Sequence, residues 1–383
     1  MPRDIPHTVS PGVWTLAWRR LWRDRVAMVS LAIVALFLVQ MILSGTGLVA
    51  KDWAKEVGVN YAPPSFQGPD TETAGPVASE GGPSAGETAS NEPTELPVED
   101  PLADALAAIR GETKKTAAPQ AAGEEGKSVD PLAEVMAEIR GKGTKAEATE
   151  AKARTLPLGG DKWGRDVLKK TIKGSETSIF VGLAASVVAV FLGTLFGALA
   201  GYYGGWLDDF FNWFYSVFTA IPYLLLILAV AAVLQQKGTM TIVLILGLTG
   251  WTGVFRLIRG EYLKHKGREY VQAADAIGAS NARRMFVHIF PNVSHVVLVQ
   301  LSILTVAFIK SEVILSFLGF GVPVDVVSWG SMLNEAQNEL ILGKWWQLVA
   351  AGTAMAVLVT AFSLFTDALR DALDPKLKGR MGA

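Results

Sequence analysis

YVQAADAIGASNARRMFVHIFPN, residues 270–292, is a polar stretch rich in small side chains, set between two long apolar runs. Those runs settle the class of protein. Half of the residues are hydrophobic (50%) and the mean hydropathy is +0.31. Several segments reach the roughly 20 apolar residues needed to cross a hydrocarbon core of about 30 Å. An all-α membrane protein with six spans is expected, at Val26–Val49, Ser178–Tyr202, Phe210–Leu234, Thr241–Ile258, Val293–Leu318 and Trp345–Leu369. The first run is too long for the apolar core of a secretory signal and follows a long polar lead, so it reads as a retained span.

Charge distribution orients these spans. The cluster WRRLWRDR (Trp18–Arg25) abuts the first span and places residues 1–25 in the cytoplasm by the positive-inside bias. An even number of crossings returns the tail RDALDPKLKGR, including residues 374–383, to the same side. The 270–292 stretch also lands there, with Arg259, Lys264, Lys266, Arg268, Arg283 and Arg284 around it. One segment runs against the bias: DKWGRDVLKKTIKG (Asp161–Gly174) is basic and falls outside.

Three features inside the spans stand out. Gly193, Gly197 and Gly201 recur every fourth residue on one helix face, which permits close approach of another helix, either within this bundle or from another subunit. Pro222 lacks a backbone donor and is expected to kink the third span. Lys310 and Glu312 cost on the order of 2.5–3.5 kcal/mol each if exposed to lipid at mid-depth. At 1.5 Å per residue, Lys310 lies roughly 26 Å from the start of its span, near the outer surface. Either these two side chains reach water there or they line an outer vestibule of the pathway.

Residues 50–155 have a different composition. Between Lys51 and Arg154 there are 19 acidic and 11 basic residues, and aromatics nearly vanish after Phe66. Such a segment cannot bury enough apolar surface to offset its chain entropy, so a largely disordered extracytoplasmic insert is expected. It contains a duplication, DPLADALAAIRG (Asp100–Gly111) and DPLAEVMAEIRG (Asp130–Gly141). Each copy reads as a short helix with Asp at the N-cap, Pro at the first position and a closing Gly. These helices either dock on a partner, fold back on the membrane domain, or are duplicated linker. AAGEEGKS (Ala121–Ser128) ends like a phosphate-binding loop, but Ala121 replaces its first glycine and no strand precedes it. No nucleotide site is expected on this chain. With no cysteine and four scattered histidines, no disulfide or metal site is expected either.

Within 270–292 the pattern predicts a helix over Tyr270–Ile277, a break at Gly278 and a second helix towards Pro291. The QAADA run makes a narrow surface suited to a groove on another protein, with Arg268, Arg283 and Arg284 as rim charges. The plainer alternative is a loop lying along lipid headgroups.

The spacing Gln272-Ala273-Ala274, then Gly278, then Pro291 resembles the EAA loop of ABC importer permeases, with Gln272 in place of the usual Glu and Phe290 in place of Leu. LGGDKWGRDVLKKTIKGSETSIFVGL, GYYGGWLDD, GREYVQAADAIGAS, SFLGFGVP, SWGSML and LRDALDPKLK follow in the order of the C-type permeases of dipeptide, oligopeptide and nickel importers, as does AWRRLWRDRVAMVSLAIV. The resemblance spans the chain apart from about residues 60–155. It implies a type I ABC importer permease fold, with the permease core over residues 156–373. It further implies a coupling helix within 259–291 that docks on a cytoplasmic ATPase through Tyr270, Gln272, Ala273, Ala274, Asp275, Gly278, Ala279, Arg283 and Pro291. The implied partners are a homologous second permease, ATPase subunits that bind ATP and Mg, an extracytoplasmic substrate-binding protein and membrane lipid; no nucleic acid is expected. No catalytic residue is expected on this chain, whose implied role is peptide import across the bacterial inner membrane, with nickel, opines or another small solute as alternatives. A secondary transporter or membrane-anchored scaffold is the rival class.

Overall fold

The computed structural model describes residues 13–69 and 152–373. The described part is all-α, and its extended segments meet only in isolated bridges. In chain order the helices are α1 (Val13–Arg23), α2 (Arg25–Gly45), α3 (Val167–Tyr203), α4 (Gly205–Thr219), α5 (Tyr223–Leu234), α6 (Thr239–Thr249), α7 (Thr252–Lys266), α8 (Glu269–Ala276), α9 (Asn281–Phe317), α10 (Trp329–Ile341) and α11 (Trp346–Leu373). Four of them, α2, α3, α9 and α11, are each long and apolar enough to cross a membrane. The count rises to six if the bent pairs α4–α5 and α6–α7 each make one span.

The 37-residue α3 is the axis of the bundle. At 1.5 Å per residue it is about 55 Å long, well beyond a hydrocarbon core of about 30 Å, so it projects at both ends. Its glycines meet successive neighbours. A Cβ on Gly193 would lie 2.6 Å from Cβ of Val254, one on Gly197 2.8 Å from the Phe255 carbonyl oxygen, and one on Gly201 2.6 Å from that of Arg259. The stripe is therefore the seam between α3 and α7 inside this chain. Further along α3, Gly174 backs onto Ser328 and Trp329 at the start of α10. The Ser186 and Thr305 hydroxyls pair at 2.9 Å between α3 and α9.

The bend expected at Pro222 is present and sharper than a kink: α4 and α5 meet at 84° across residues 220–222, with Pro222 at the start of α5. Two other expectations about the spans need correction. Pro291 does not end a helix. α9 runs through it, with a π-turn over Arg284–Ile289 just upstream that shifts the backbone register and absorbs the missing donor. Finally, Glu312 neither reaches water nor lines a vestibule. It is fully enclosed, accepting from Ser178 Oγ at 2.6 Å and Ser316 Oγ at 2.7 Å, while Lys310 is exposed. Ser178 Oγ also receives the Trp329 amide at 3.3 Å, so this cluster ties α3, α9 and α10 together.

The ends of the expected insert are folded. Residues 46–69 and 152–166 form a cap on the α3 N-terminus, through bridges pairing Glu56 with Arg165, Gly58 with Ala153, and Pro64 with Leu156. Ala62 and Leu156 are buried in this cap, and Trp53 and Tyr61 pack against the main core of the bundle, contacts that the average composition of 50–155 concealed. The duplicated segments and the phosphate-loop lookalike lie outside the described residues. Asp161 organises the cap: Oδ1 accepts from the amides of Trp163 (2.9 Å) and Arg165 (3.0 Å), and Oδ2 from Lys170 Nζ at 2.8 Å. Lys170 also meets Glu335 at 2.5 Å and Gln347 at 3.2 Å. With Lys169 on Asp52 (3.0 Å) and Lys173 on Glu176 (2.7 Å), much of the positive charge that ran against the orientation rule is neutralised within the fold.

Beside this network Glu339 is buried, with Oε1 accepting from the Lys162 amide at 3.3 Å and Oε2 without a partner among the described residues. Burial pushes its carboxyl up to about 7; Lys170 opposes the rise and Asp161 adds to it. A carboxyl raised in the folded state stabilises the fold fully below its unfolded value of 4.5, and that contribution is lost as pH climbs to about 7. Glu339→Gln removes the titration. The wild-type Tm should therefore fall relative to the Glu339→Gln variant as pH is raised from 4.5 to about 7, and run parallel to it above. A constant difference across that window would refute the assignment.

Candidate functional site

At the end of the bundle opposite the cap, the 270–292 stretch folds into α8 and the first turns of α9. α8 buries Val271 and Ala274, three residues apart on one face, and Val271 packs in a cluster with Tyr262, Met285, Ile289 and Val293. Burying Val271 contributes on the order of 1.5–3 kcal/mol, enough to hold so short a helix to the bundle. The helix ends in a Schellman turn, where the Ala279 amide donates to the Ala274 carbonyl at 2.9 Å and the Gly278 amide to Asp275 at 2.8 Å. Gly278 has φ +82°, the left-handed region where glycine carries no steric cost, which is why the break falls there. Ser280 then caps α9, its Oγ accepting the Arg283 amide at 3.4 Å.

The outward face of α8 carries Tyr270, Gln272, Ala273, Asp275 and Ala276, followed by Ile277, which is 83% exposed. Tyr270 Oη meets His265 Nδ1 at 2.8 Å, and Gln272 Nε2 reaches only the Gly267 carbonyl, at 3.5 Å. Gly278, Arg283 and Pro291 are exposed and Ala279 is half-buried. Ala274 departs from the expected surface: it is 4% exposed and anchors α8 rather than presenting it. Arg284 departs as well. It turns away from the rim, pairs with Asp275 at 2.5 Å, bonds Asn281 Oδ1, and lies 5.9 Å from the Tyr202 ring at the end of α3. Tyr202 Oη donates to the same Asn281 oxygen at 3.1 Å. α8 is thus braced against the C-terminal end of the long axial helix.

Sequence reasoning missed Ile277 as an outward residue and Arg284 as the brace. The 3-residue spacing of Val271, Ala274 and Ile277 would continue the buried stripe, and only the Schellman turn at Ala276–Gly278 turns Ile277 to solvent. The Asp275–Arg284 pair bridges two helices, so helical spacing gives no signal for it.

Residues 193–379 match the family described as binding-protein-dependent transport system inner membrane component. Residues 12–64 match the N-terminal transmembrane domain of oligopeptide transport permease C. The chain is 37% identical over 221 residues to a dipeptide transport system permease protein of Bacillus subtilis (strain 168), covering 58% of this chain and 69% of that protein. It is 36% identical to an oligopeptide transport system permease protein of the same organism over 58% of this chain and 72% of the relative. A glutathione transport system permease protein of Pectobacterium atrosepticum is 35% identical over 58% of this chain and 73% of its own length. The two family matches fall on either side of residues 65–192, which include most of the stretch of insert-like composition, and the match to the transport component contains the whole of α8. With its multiple apolar helices and a short polar helix braced at one end of the bundle, the chain belongs to the family of binding-protein-dependent transport system inner membrane components.

Proposed function

We propose that this chain is the permease subunit of an ATP-driven peptide importer, and that α8 is where a cytoplasmic ATPase engages it. The observation that carries the reading is the outward face of α8: a short helix, anchored by Val271 and Ala274, that offers small and apolar surface at Ala273, Ala276 and Ile277. A surface of that shape fits a cleft, and Ile277 would be a poor choice for open water. Peptides are the preferred cargo because the similar proteins are named for dipeptide, oligopeptide and glutathione transport.

The arrangement implies a mechanical role. The ATPase must bind α8 unequally in its two states, or ATP turnover cannot shift the gate. Movement of α8 then reaches α3 through Asp275, Arg284 and Tyr202, and α9 directly through the chain. In this reading the α8 end and both termini face the cytoplasm, the cap faces outward, and a second permease, a binding protein and an ATPase carrying ATP and Mg complete the machine. Gln272 keeps hydrogen-bonding capacity but no charge, so docking here rests on shape and apolar contact.

The test is co-purification of the ATPase with the detergent-solubilised chain, together with uptake of a labelled tripeptide. Ala273→Trp and Ile277→Glu both alter exposed positions, so the fold and its Tm should be unchanged. Each should weaken ATPase association by about tenfold or more, the effect of losing a residue at the centre of an interface. Failure of the wild type to retain any ATPase, or normal coupling in both variants, would overturn the assignment of α8. Nickel uptake without peptide uptake would overturn the cargo alone.

A further inference from the structure

Near the α8 end of the bundle, α1 and the start of α2 concentrate positive charge. Arg19, Arg20, Arg23 and Arg25 stand within seven positions, against the single acid Asp24. Asp24 is engaged as the α2 N-cap, accepting from the amides of Val26 at 2.9 Å and Ala27 at 3.2 Å. Arg20 turns inward and donates to the Ala372 carbonyl at 3.4 Å. Among the described residues, Arg19, Arg23 and Arg25 have no ion-pair partner. Leu21, 6% exposed, fastens α1 to Leu369, Ala372 and Leu373 of α11. Trp18 and Trp22 remain 53% and 60% exposed, edge to face at 6.0 Å.

Directly below, a groove of about 600 Å³ runs between α2 and α11. Its walls include Val26, Val29 and Ile33 on one side and Val357 and Leu364 on the other. Its polar groups are Thr360, Ser30, whose hydroxyl is returned to the Val26 carbonyl at 2.7 Å, and Arg25 at one end. From Arg25 to Ile33 the groove extends about 12 Å along the helix, close to the depth of one hydrocarbon leaflet of about 15 Å.

We propose that this groove and the arginines at its mouth form a binding site for an anionic phospholipid. One acyl chain lies between α2 and α11, and the phosphate meets the Arg25 guanidinium, whose planar donors match phosphate oxygens. Arg19 and Arg23 favour net-negative headgroups over zwitterionic ones, and the exposed Trp18 and Trp22, next to the start of α2, are the amphipathic rings that membrane interfaces favour. Charge complementarity and continuity with the span select lipid over a protein segment as the occupant. The site does not depend on which solute is carried.

The test is lipid retention, read by native mass spectrometry on the transporter purified with its partner subunits from a mixture of phosphatidylglycerol and phosphatidylcholine. The wild type should keep phosphatidylglycerol in preference to phosphatidylcholine. Arg25→Gln should lower that preference about fivefold, the ~1 kcal/mol expected of one basic residue at an anionic surface, while Arg25→Lys keeps most of it. Ala356→Phe, at an exposed position on the groove wall, should fill the slot and remove retained lipid of both kinds without altering the elution profile. Inorganic phosphate should not displace the lipid. Equal retention of both lipids, indifference to Arg25→Gln, displacement by phosphate, or no lipid in the assembled transporter because a protein segment covers the groove would each overturn the proposal.

Discussion

Gly197→Leu is expected to abolish the folded protein or to cost it more than about 3 kcal/mol, the upper end of overpacking penalties. The reason is the nature of the obstacle. A Cβ at Gly197 would lie 2.8 Å from the Phe255 carbonyl oxygen and 3.0 Å from the Arg259 nitrogen, both backbone atoms that cannot rotate aside. α3 and α7 would have to separate along the whole Gly193–Gly201 seam, losing the van der Waals contact that drives helix association in lipid. Gly197→Ala should be intermediate. Gly253→Leu, on α7 with no atom within 4 Å of the added Cβ, should be close to neutral. Expression, size-exclusion profile and Tm in detergent read all three. A Gly197→Leu protein that elutes and melts like the wild type would show that α3 and α7 do not cross at these residues.

Lys170→Met carries the second large effect. Lys170 and Asp161 are 1% and 0% exposed, and the lysine neutralises an interior that also contains Glu335 and Glu339. Removing one partner of a buried pair strands the other charge and typically costs about 3–5 kcal/mol. The double variant Lys170→Met with Asp161→Asn should recover most of that loss. The amide introduced by Asp161→Asn would keep an oxygen for the Trp163 and Arg165 amides but carries no charge. If the double variant is no more stable than Lys170→Met alone, the loss comes from packing and not from a stranded carboxylate. The cap and α10 should loosen first, since Lys170 joins the cap turn to Glu335 of α10 and Gln347 of α11.

How far these features could be read in advance follows their range along the chain. The break at Gly278 was legible because a left-handed helix terminus needs glycine locally, and the residues that close it lie within five positions. The glycine stripe on α3 was legible as a packing face for the same reason, but not its partner. The buried state of Glu312 was not legible: its hydrogen-bond partner Ser178 is 134 residues away. Nor was the cap, whose first bridge joins Glu56 and Arg165 across the long polar insert. Within 270–292, the helix over Tyr270–Ile277 and its stop at Gly278 could be read from residue pattern alone. The division of α8 into an anchoring face at Val271 and Ala274 and a presented face ending at Ile277 depended on the Tyr262 and Met285 surface that receives it.

Sequence by itself determined that this chain crosses a membrane, roughly where, and that a polar helix with a glycine stop interrupts it. In hydrocarbon each backbone donor and acceptor must be satisfied within its own helix, so a span is written in one contiguous apolar run. Tertiary structure alone decided which helices touch, that the third span turns through as much as 84° at Pro222, and which side of α8 is offered outward. In lipid one apolar surface is as acceptable as another. The choice among them falls to shape, as at Gly197, and to isolated polar contacts such as Asp275 with Arg284, both of which join residues the chain holds far apart or on separate helices.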